Sequence, residues 1–375
     1  MRVALVHDWL TGFRGGEKVL AELAKLYPEA DLYTLVFVPG STCEAIERLS
    51  IHTSPLSRIP GIRHHYRAWL PLFPLAIRSF RLEGYDLIVS VSHAVAKAVP
   101  HDAGALHVSY CLTPMRYVWD QSHHYLRSRA LQIAAAPLVS ALRRFDLRYS
   151  RPEQVDCFLA PSSAVAERIE EHYSRSSQRV FPPVATGAFA PDPRGPDDFY
   201  LAVAGFVPYK REDLLVDAFR GLDRRLRIAG DGPLRRRLEA KAPPNVEFLG
   251  RVSDTELASL YARCRALLYP QEEDFGIIAV EAQAAGRPVI AFGRGGVRDT
   301  VRPLGAAAAP ATGVFFDEQS PGCIRAAIRH FEENAGSFDP NAIAAWAQRF
   351  GVASFRENFA RAVESARTHA TKPAR

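Results

Sequence analysis

The sequence predicts an α/β protein built as two doubly wound domains, each a parallel sheet covered on both faces by helices. Three observations carry this expectation. The chain has 375 residues, beyond the size at which a single hydrophobic core stops growing. Short β-branched runs alternate with helical patterns from the first residue onward. A stretch rich in Pro, Gly and Asp interrupts the alternation in the middle of the chain, after which it restarts. Hydrophobic residues make up 47% and charged residues 23%, a balance that fills two cores and does not fit a disordered chain.

The elements follow in order. Val3 to Val6 reads as a buried strand before a helical Glu17 to Leu26, Leu87 to Val89 as a strand before a helical Ala94 to Ala98, and Val155 to Leu159 as a strand before a helical Ala164 to Glu171. Pro182 to Asp198 is the break. Beyond it, strands are expected at Tyr200 to Ala204, Leu226 to Ala229, Val246 to Leu249, Ala266 to Tyr269, Val289 to Ala291 and Val314 to Phe316. Helices at Ile324 to Glu333 and Val352 to Ala366 close the pattern. The expected division is a first domain at 1–185, a linker at 186–198, a second domain at 199–345, and a C-terminal helical segment at 346–375 that packs back on the first. Two such domains facing each other place ligands at the carboxyl ends of their strands, in the cleft between them.

Several function classes are set aside by composition. The five cysteines, Cys43, Cys111, Cys157, Cys264 and Cys323, are odd in number and scattered, with no CxxC pair, so neither a disulfide framework nor a zinc site is expected, and a reducing cytosol fits. The opening MRVALVHDWL is an apolar run interrupted by His7 and Asp8, which reads as a first strand and not as a secretory signal. No apolar stretch approaches the ~18 residues that span a bilayer; the longest, Ala130 to Leu142, is broken by Pro137 and flanked by Arg129 and Arg143. The formal net charge of +6 favours an anionic partner. With no helix-turn-helix, zinc-finger or RNP-type string, nucleic acid is not expected to be that partner.

The most informative segment is EEDFGIIAVEAQAAGRPVIA. It leaves a strand, turns tightly at Gly276 and continues as a helix, so Phe275, Gly276 and Ile277 bring free backbone N–H groups to where an anion can approach. Glu273 falls in the loop and Glu281 within the helix, so the two carboxylates address different parts of one elongated ligand. Three neighbouring strand exits lie on the same sheet edge: VAGFVPYKRED with Lys210 and Arg211, cations able to reach a diphosphate; IAGDGPLRRRL with the turn Gly230, Asp231 and Gly232; and FLGRVSDTELASLYARCRALLYP, with a Ser/Asp helix start followed by Glu256. Each alone has a plain structural alternative, a solvated charge or a good turn. Their joint occurrence is far more specific.

In combination, VPYKRED, GDGP, FLGRVSDTELASLYARCRALLYP and EEDFGIIAVEAQAAGRPVIA closely resemble glycosyltransferase family 4, retaining enzymes of the GT-B fold, whose E-x7-E signature matches Glu273 and Glu281. HDWLTGFRGGEKVL and TPMRYVWD resemble the bacterial mannosyltransferases of polysaccharide and O-antigen assembly. The resemblance covers the chain from residue 1 to about residue 330. It implies that Lys210 contacts the donor diphosphate, Glu273 the transferred sugar, the backbone at Phe275 to Ile277 the diphosphate, and Glu281 the ribose. The donor is then a nucleotide-diphosphate sugar, a co-substrate, with no resident cofactor and no metal, because protein cations neutralise the leaving group and no DxD-type carboxylate pair is present. GDP-mannose is the first expectation, from the family branch alone. Two positions depart from the pattern: Gly205 stands where many members carry Arg, and Leu112 where many carry a His before the Thr-Pro pair.

In the first half, Gly15 and Gly16 precede a helix and repeat the backbone-amide device; a structural glycine turn is the alternative. His93 follows a strand, as a ligand to hydroxyls or as a capping histidine. Arg116, Tyr117, Trp119 and Asp120 suit sugar stacking and hydrogen bonding, or packing. The segment Ser57 to Arg81 interleaves five arginines with Tyr66, Trp69, Phe73 and Phe80, a composition that leans on an anionic membrane surface or serves as an amphipathic packing face. The expected function is hexosyl transfer to a lipid-linked or saccharide acceptor by a cytoplasmic protein peripheral to the inner face of the membrane. The alternative is a non-catalytic sugar-nucleotide-binding subunit. Dinucleotide-dependent oxidoreduction is excluded by the lack of GxGxxG after the first strand.

Overall fold

A computed structural model describes residues 1–119, 129–306 and 310–369. The chain divides into two compact units, residues 1–183 together with 355–375, and residues 184–354.

Among the described residues the first unit holds a seven-stranded, wholly parallel sheet. Its strands are β1 Val3–His7, β2 Asp31–Thr34, β3 Ser50–Thr53, β4 Leu87–Ser92, β5 Leu106–Cys111, β6 Cys157–Ala160 and β7 Gln178–Arg179, in the spatial order β3-β2-β1-β4-β5-β6-β7. The central strands β1, β4 and β5 are buried at every position, as a parallel sheet covered on both faces requires. One apolar layer joins Leu5, Val89 and Val108 to Leu20 and Leu23 of the helix Gly15–Leu26 and to Phe355 and Phe359 of the helix Val352–His369. The other face packs Val6 and Ile88 against Trp9, Phe73, Ile77 and Leu142.

Among the described residues the second unit holds a six-stranded parallel sheet of β8 Tyr200–Ala204, β9 Leu226–Gly230, β10 Val246–Gly250, β11 Leu267–Tyr269, β12 Val289–Phe292 and β13 Gly313–Phe316, ordered β10-β9-β8-β11-β12-β13. Two of its helices start at hydroxyl caps: Ser253 accepts from the Glu256 N–H and Ser320 from the Cys323 N–H, which ties down donors that no helical carbonyl can reach.

Two expectations change. Ala94 to Ala98 does not form a helix but one 3-10 turn at Ala96–Ala98, because the Asp8 carboxylate accepts the N–H groups of His93, Ala94, Val95 and Ala96 at 2.7–3.0 Å. Pro137 does not break its segment either. The helix Arg129–Arg148 runs through it, and Ile133, whose carbonyl loses its partner, is exposed to water that can replace the missing N–H. No described helix is long and apolar enough to cross a membrane.

Candidate functional site

In an open parallel sheet, ligands gather at the carboxyl ends of the strands where the strand order reverses. In the second unit that point lies between β8 and β11, since the chain runs from β8 outward to β10 and then returns to the other side with β11. The loops leaving these two strands carry Lys210 and Glu273. The structure pairs them, with Lys210 Nζ 3.1 Å from Glu273 Oε1 and both side chains about one-fifth to one-quarter exposed (21% and 24%). Glu273 Oε2 accepts the Tyr269 hydroxyl at 2.7 Å. Burial works against charge on Lys210, but Glu273 beside it outweighs that and holds the ammonium's pKa above its ordinary value. The result is a fixed cation at a half-open strand end.

The turn between Glu273 and the helix Ile277–Ala284 depends on Gly276. Its φ is +91°, and a Cβ there would stand 2.9 Å from the Tyr269 hydroxyl, so only glycine lets the loop close over the tyrosine that orients Glu273. Phe275 anchors the same loop from beneath, its ring 5.8 Å from that of Phe350, and Gly296 N–H donates to Glu273 O at 2.9 Å. Ile277 then opens the helix, where the first N–H groups lack intrahelical acceptors and face outward along the axis. Glu281 lies on the next turn, 9% exposed, and accepts the Tyr261 hydroxyl at 3.1 Å. Burial first, and Glu281 second, push the Tyr261 hydroxyl well up, so it remains a donor. The two carboxylates therefore belong to separate settings.

The other predicted positions of this unit are placed differently from one another. Arg211 adopts a left-handed conformation, φ +56°, and its guanidinium bonds Asp213 and Gln319; it is not joined to the Lys210–Glu273 pair. Gly230 presses on the strand exit of β8, a Cβ there falling 2.0 Å from Ala204 O. Asp231 accepts the N–H of Gly232 at 2.9 Å, a local turn contact. Gly205 and Phe206 donate to Glu212 Oε1 at 3.2 and 3.0 Å, and a Cβ on Gly205 would meet the Lys210 stem at 3.5 Å. Tyr269 and Tyr261, which orient the two carboxylates, were not singled out from the sequence. Each ends or precedes a strand as one more aromatic in an apolar run, and only the fold reveals its hydroxyl partner.

In the first unit the order reverses between β1 and β4, so His7, Asp8 and His93 meet at the carboxyl ends. His7 Nδ1 is 2.9 Å from Val91 O, and its Nε2 lies 3.9 Å from Glu17 Oε1. Glu17 also accepts the Arg14 N–H at 2.9 Å, which fixes the start of the helix that carries Gly15 and Gly16. His93 lies with its ring edge-on to Trp9 at 4.4 Å and its Nδ1 3.3 Å from Asp8. Burial pulls the pKa of His93 down, the Asp8 charge opposes this, and Arg116 adds a lowering contribution, so Arg116 shares this neighbourhood. Leu112 fills the space beside Gly16, its Cδ1 lying 2.8 Å from where a Cβ would be. Tyr117 packs on the apolar layer beneath. Trp119 is a packing residue: its N–H donates to Asp146 at 2.8 Å and its ring stacks on His172. Asp120 lies outside the described residues. His7, Asp8 and Glu17 were invisible as partners in the sequence, being read only as an interruption and a helix start.

With this geometry in view, comparison with known proteins is informative. The sequence profile of the family described as "Glycosyl transferases group 1" matches residues 188–347. The chain is 39% identical over 112 residues to an uncharacterized glycosyltransferase of Methanocaldococcus jannaschii, covering 28% of this chain and 32% of that one. It is 31% identical over 222 residues to a GDP-mannose-dependent alpha-mannosyltransferase of Mycolicibacterium smegmatis, covering 56% of this chain and 54% of the relative. The chain thus spans about a third to a half of the length of the curated relatives it matches. Among solved structures, Anabaena HepE in complex with UDP-glucose is similar with a TM-score of 0.68 at 17% identity, covering 97% of this chain and 100% of that one. Two parallel sheets of this order and that likeness make the fold GT-B, and the stretch that matches the glycosyl transferases group 1 profile, residues 188–347, is the one that holds Lys210, Glu273 and Glu281.

Proposed function

We propose that the chain transfers a hexose, with retention of anomeric configuration, from a nucleotide-diphosphate sugar to a lipid-linked or saccharide acceptor. The observation that carries this reading is the Lys210–Glu273 ion pair at the strand-order reversal of the second sheet. Lys210 is held charged where the outward N–H groups at Ile277 can share a diphosphate with it, and charge developing on the leaving group is the term such fixed donors stabilise. A diphosphate engaging Lys210 frees one oxygen of Glu273 for the sugar, while Tyr269 keeps the other in place. Glu281, one turn further on and backed by Tyr261, offers its remaining acceptor capacity to vicinal ribose hydroxyls. Arg211 would have to leave Asp213 to add its charge. Protein cations supply the neutralisation, so the reaction needs no metal and no resident cofactor.

GDP-mannose is the first donor to try, supported by the mannosyltransferase relative; the UDP-glucose bound by HepE makes that sugar nucleotide the second. The acceptor side falls to the first unit, with Gly15, Gly16, His93, Arg116 and Tyr117 around its own strand-order reversal. The arginine- and aromatic-rich segment around Leu72 and Leu75, the latter 71% exposed, supports a peripheral seat on an anionic membrane at its cytoplasmic face. The test is nucleoside diphosphate release from GDP-mannose and UDP-glucose with membrane extract and EDTA present. The wild type turns over, and Lys210→Ala and Glu273→Gln each lose roughly a hundredfold or more. Loss of wild-type turnover in EDTA, restored by Mg²⁺, would refute metal independence. A second reading, a sugar-nucleotide-binding subunit without transfer, is favoured by one observation: Leu112 seals the space beside Gly16 with a methyl group. Donor binding with no release under any acceptor condition would select it.

A further inference from the structure

On the first unit, Thr11, Arg14, Arg63, His65, Tyr66, Arg67 and Ala68 line an open cavity of about 450 Å³. Two separate stretches of chain build it. One is the loop that ends in Arg14, immediately before Gly15 and Gly16; the other is the irregular helical segment after Gly61. Three of its seven lining residues are arginines and none is acidic. A lining with this surplus of positive charge attracts an anion, and guanidinium forks offer paired N–H bonds to one with several oxygens. Arg67 lies over the ring of the buried Tyr66 at 5.5 Å, which limits its freedom and favours a flat, fork-like presentation. The positive end of the helix Gly15–Leu26 adds to the field from the Arg14 side. The volume accommodates a diphosphate. Further along the same segment, Leu72 and Leu75 are 39% and 71% exposed, an apolar surface next in the chain to a polyanion site.

We infer that this cavity holds the phosphate or diphosphate group of the acceptor. The inference rests on the glycosyl-transfer reading for the word acceptor, but the site itself does not. Under the proposed function the donor diphosphate falls to Lys210, and the acceptor's phosphate is the anion left for this site. The exposed Leu72 and Leu75 fit an acceptor whose phosphate is borne by a lipid tail, with the tail running over them.

The test uses the full chain carrying Lys210→Ala, so that the donor-side cation does not contribute, titrated calorimetrically with inorganic pyrophosphate and with farnesyl diphosphate. Both probes should bind, and Arg63→Ser with Arg67→Ser should weaken both by roughly tenfold or more. Farnesyl diphosphate should bind more tightly than pyrophosphate, with the advantage lost in Leu72→Ser/Leu75→Ser. Equal binding of the two probes would keep the phosphate site and overturn the lipid source in favour of a soluble phosphorylated acceptor. No binding, or binding indifferent to the arginine changes, would overturn the site. GDP and UDP titrated into the Arg63→Ser/Arg67→Ser protein with Lys210 intact provide the control. Their affinity should be unchanged, which shows the protein folded. If neither nucleotide binds even to wild type while pyrophosphate still needs Arg63 and Arg67, the glycosyl-transfer reading fails and the anion site stands.

Discussion

His7 and Glu17 show how much a single residue's setting can decide. Burial opposes a charge on His7, yet the Glu17 carboxylate, then Asp8 and the Val91 carbonyl, hold its pKa above the ordinary 6.5. Burial likewise opposes charge on Glu17, and His7 with the Arg14 N–H holds its pKa below the ordinary 4.5. A raised histidine contributes stability that is complete below its unfolded value and is lost as pH rises through its folded one. A lowered carboxylate contributes stability that is complete above its unfolded value and is lost as pH falls through its folded one. The pair therefore stabilises the first unit most between the two ordinary values. Urea midpoints should be highest at about pH 5–6 and decline as His7 deprotonates above that range. Glu17→Gln should remove that decline and cost roughly 1–2 kcal/mol in the pH 5–6 window. A Glu17→Gln protein with an unaltered pH profile would show that His7 is not held by this carboxylate. The same two residues fix the start of the helix behind Gly15 and Gly16, so the loss would also loosen the edge of the arginine-lined cavity.

At the scale of elements, the loop from β11 into the helix Ile277–Ala284 gathers much of the candidate site into one turn. Tyr269 ends the strand, Glu273 hangs from the loop, Gly276 reverses the chain and Glu281 follows on the helix, so the turn's shape fixes three functional groups at once. Gly276→Ala should cost about 1–2 kcal/mol for a side chain at positive φ. It should also push the Tyr269 hydroxyl away from Glu273. The expected result is a small drop in melting temperature with a loss of donor turnover of roughly tenfold or more; an active Gly276→Ala enzyme would mean that Tyr269 does not position Glu273. The strand-to-helix alternation around this turn was legible because strands such as β8 and β12 are continuous apolar runs that end at a glycine. The edge strand β3, SIHT, and its neighbour β2, DLYT, carry polar residues at alternate or most positions and left no such trace. Ala94 to Ala98 has helix-forming residues, and the fold overrode them with a carboxylate 85 or more residues earlier. The Lys210–Glu273 contact also joins distant segments. The sequence placed both residues at strand exits, and only the reversal of strand order between β8 and β11 brought them within bonding distance.

Over the whole molecule, the chain leaves the first unit at residue 183, builds the second, and returns at residue 355 within one helix. The return is energetically substantial. Phe355, Phe359, Ala362, Val363 and Ala366 are buried in the same apolar layer as Leu5, Leu20, Val89 and Val108, and Arg356 bonds Glu22 of the helix Gly15–Leu26 at 2.9 Å through Nε. Burying two phenylalanines and a valine contributes on the order of 5–8 kcal/mol, comparable with the entire stability of an ordinary domain. Ending the chain after Ser354 should therefore unfold the first unit and leave the second largely intact, since residues 184–354 keep their own cores. Calorimetry of the full chain with a tight nucleotide present should separate two transitions, because the ligand raises only the unit that binds it. In the truncated chain the transition insensitive to nucleotide should vanish while the nucleotide-stabilised one persists. Phe359→Ala provides the graded version, lowering the first unit by about 3–5 kcal/mol without changing nucleotide affinity. If truncation left both transitions in place, the helix would be an appendage, and the first unit would owe its stability to residues 1–183 alone.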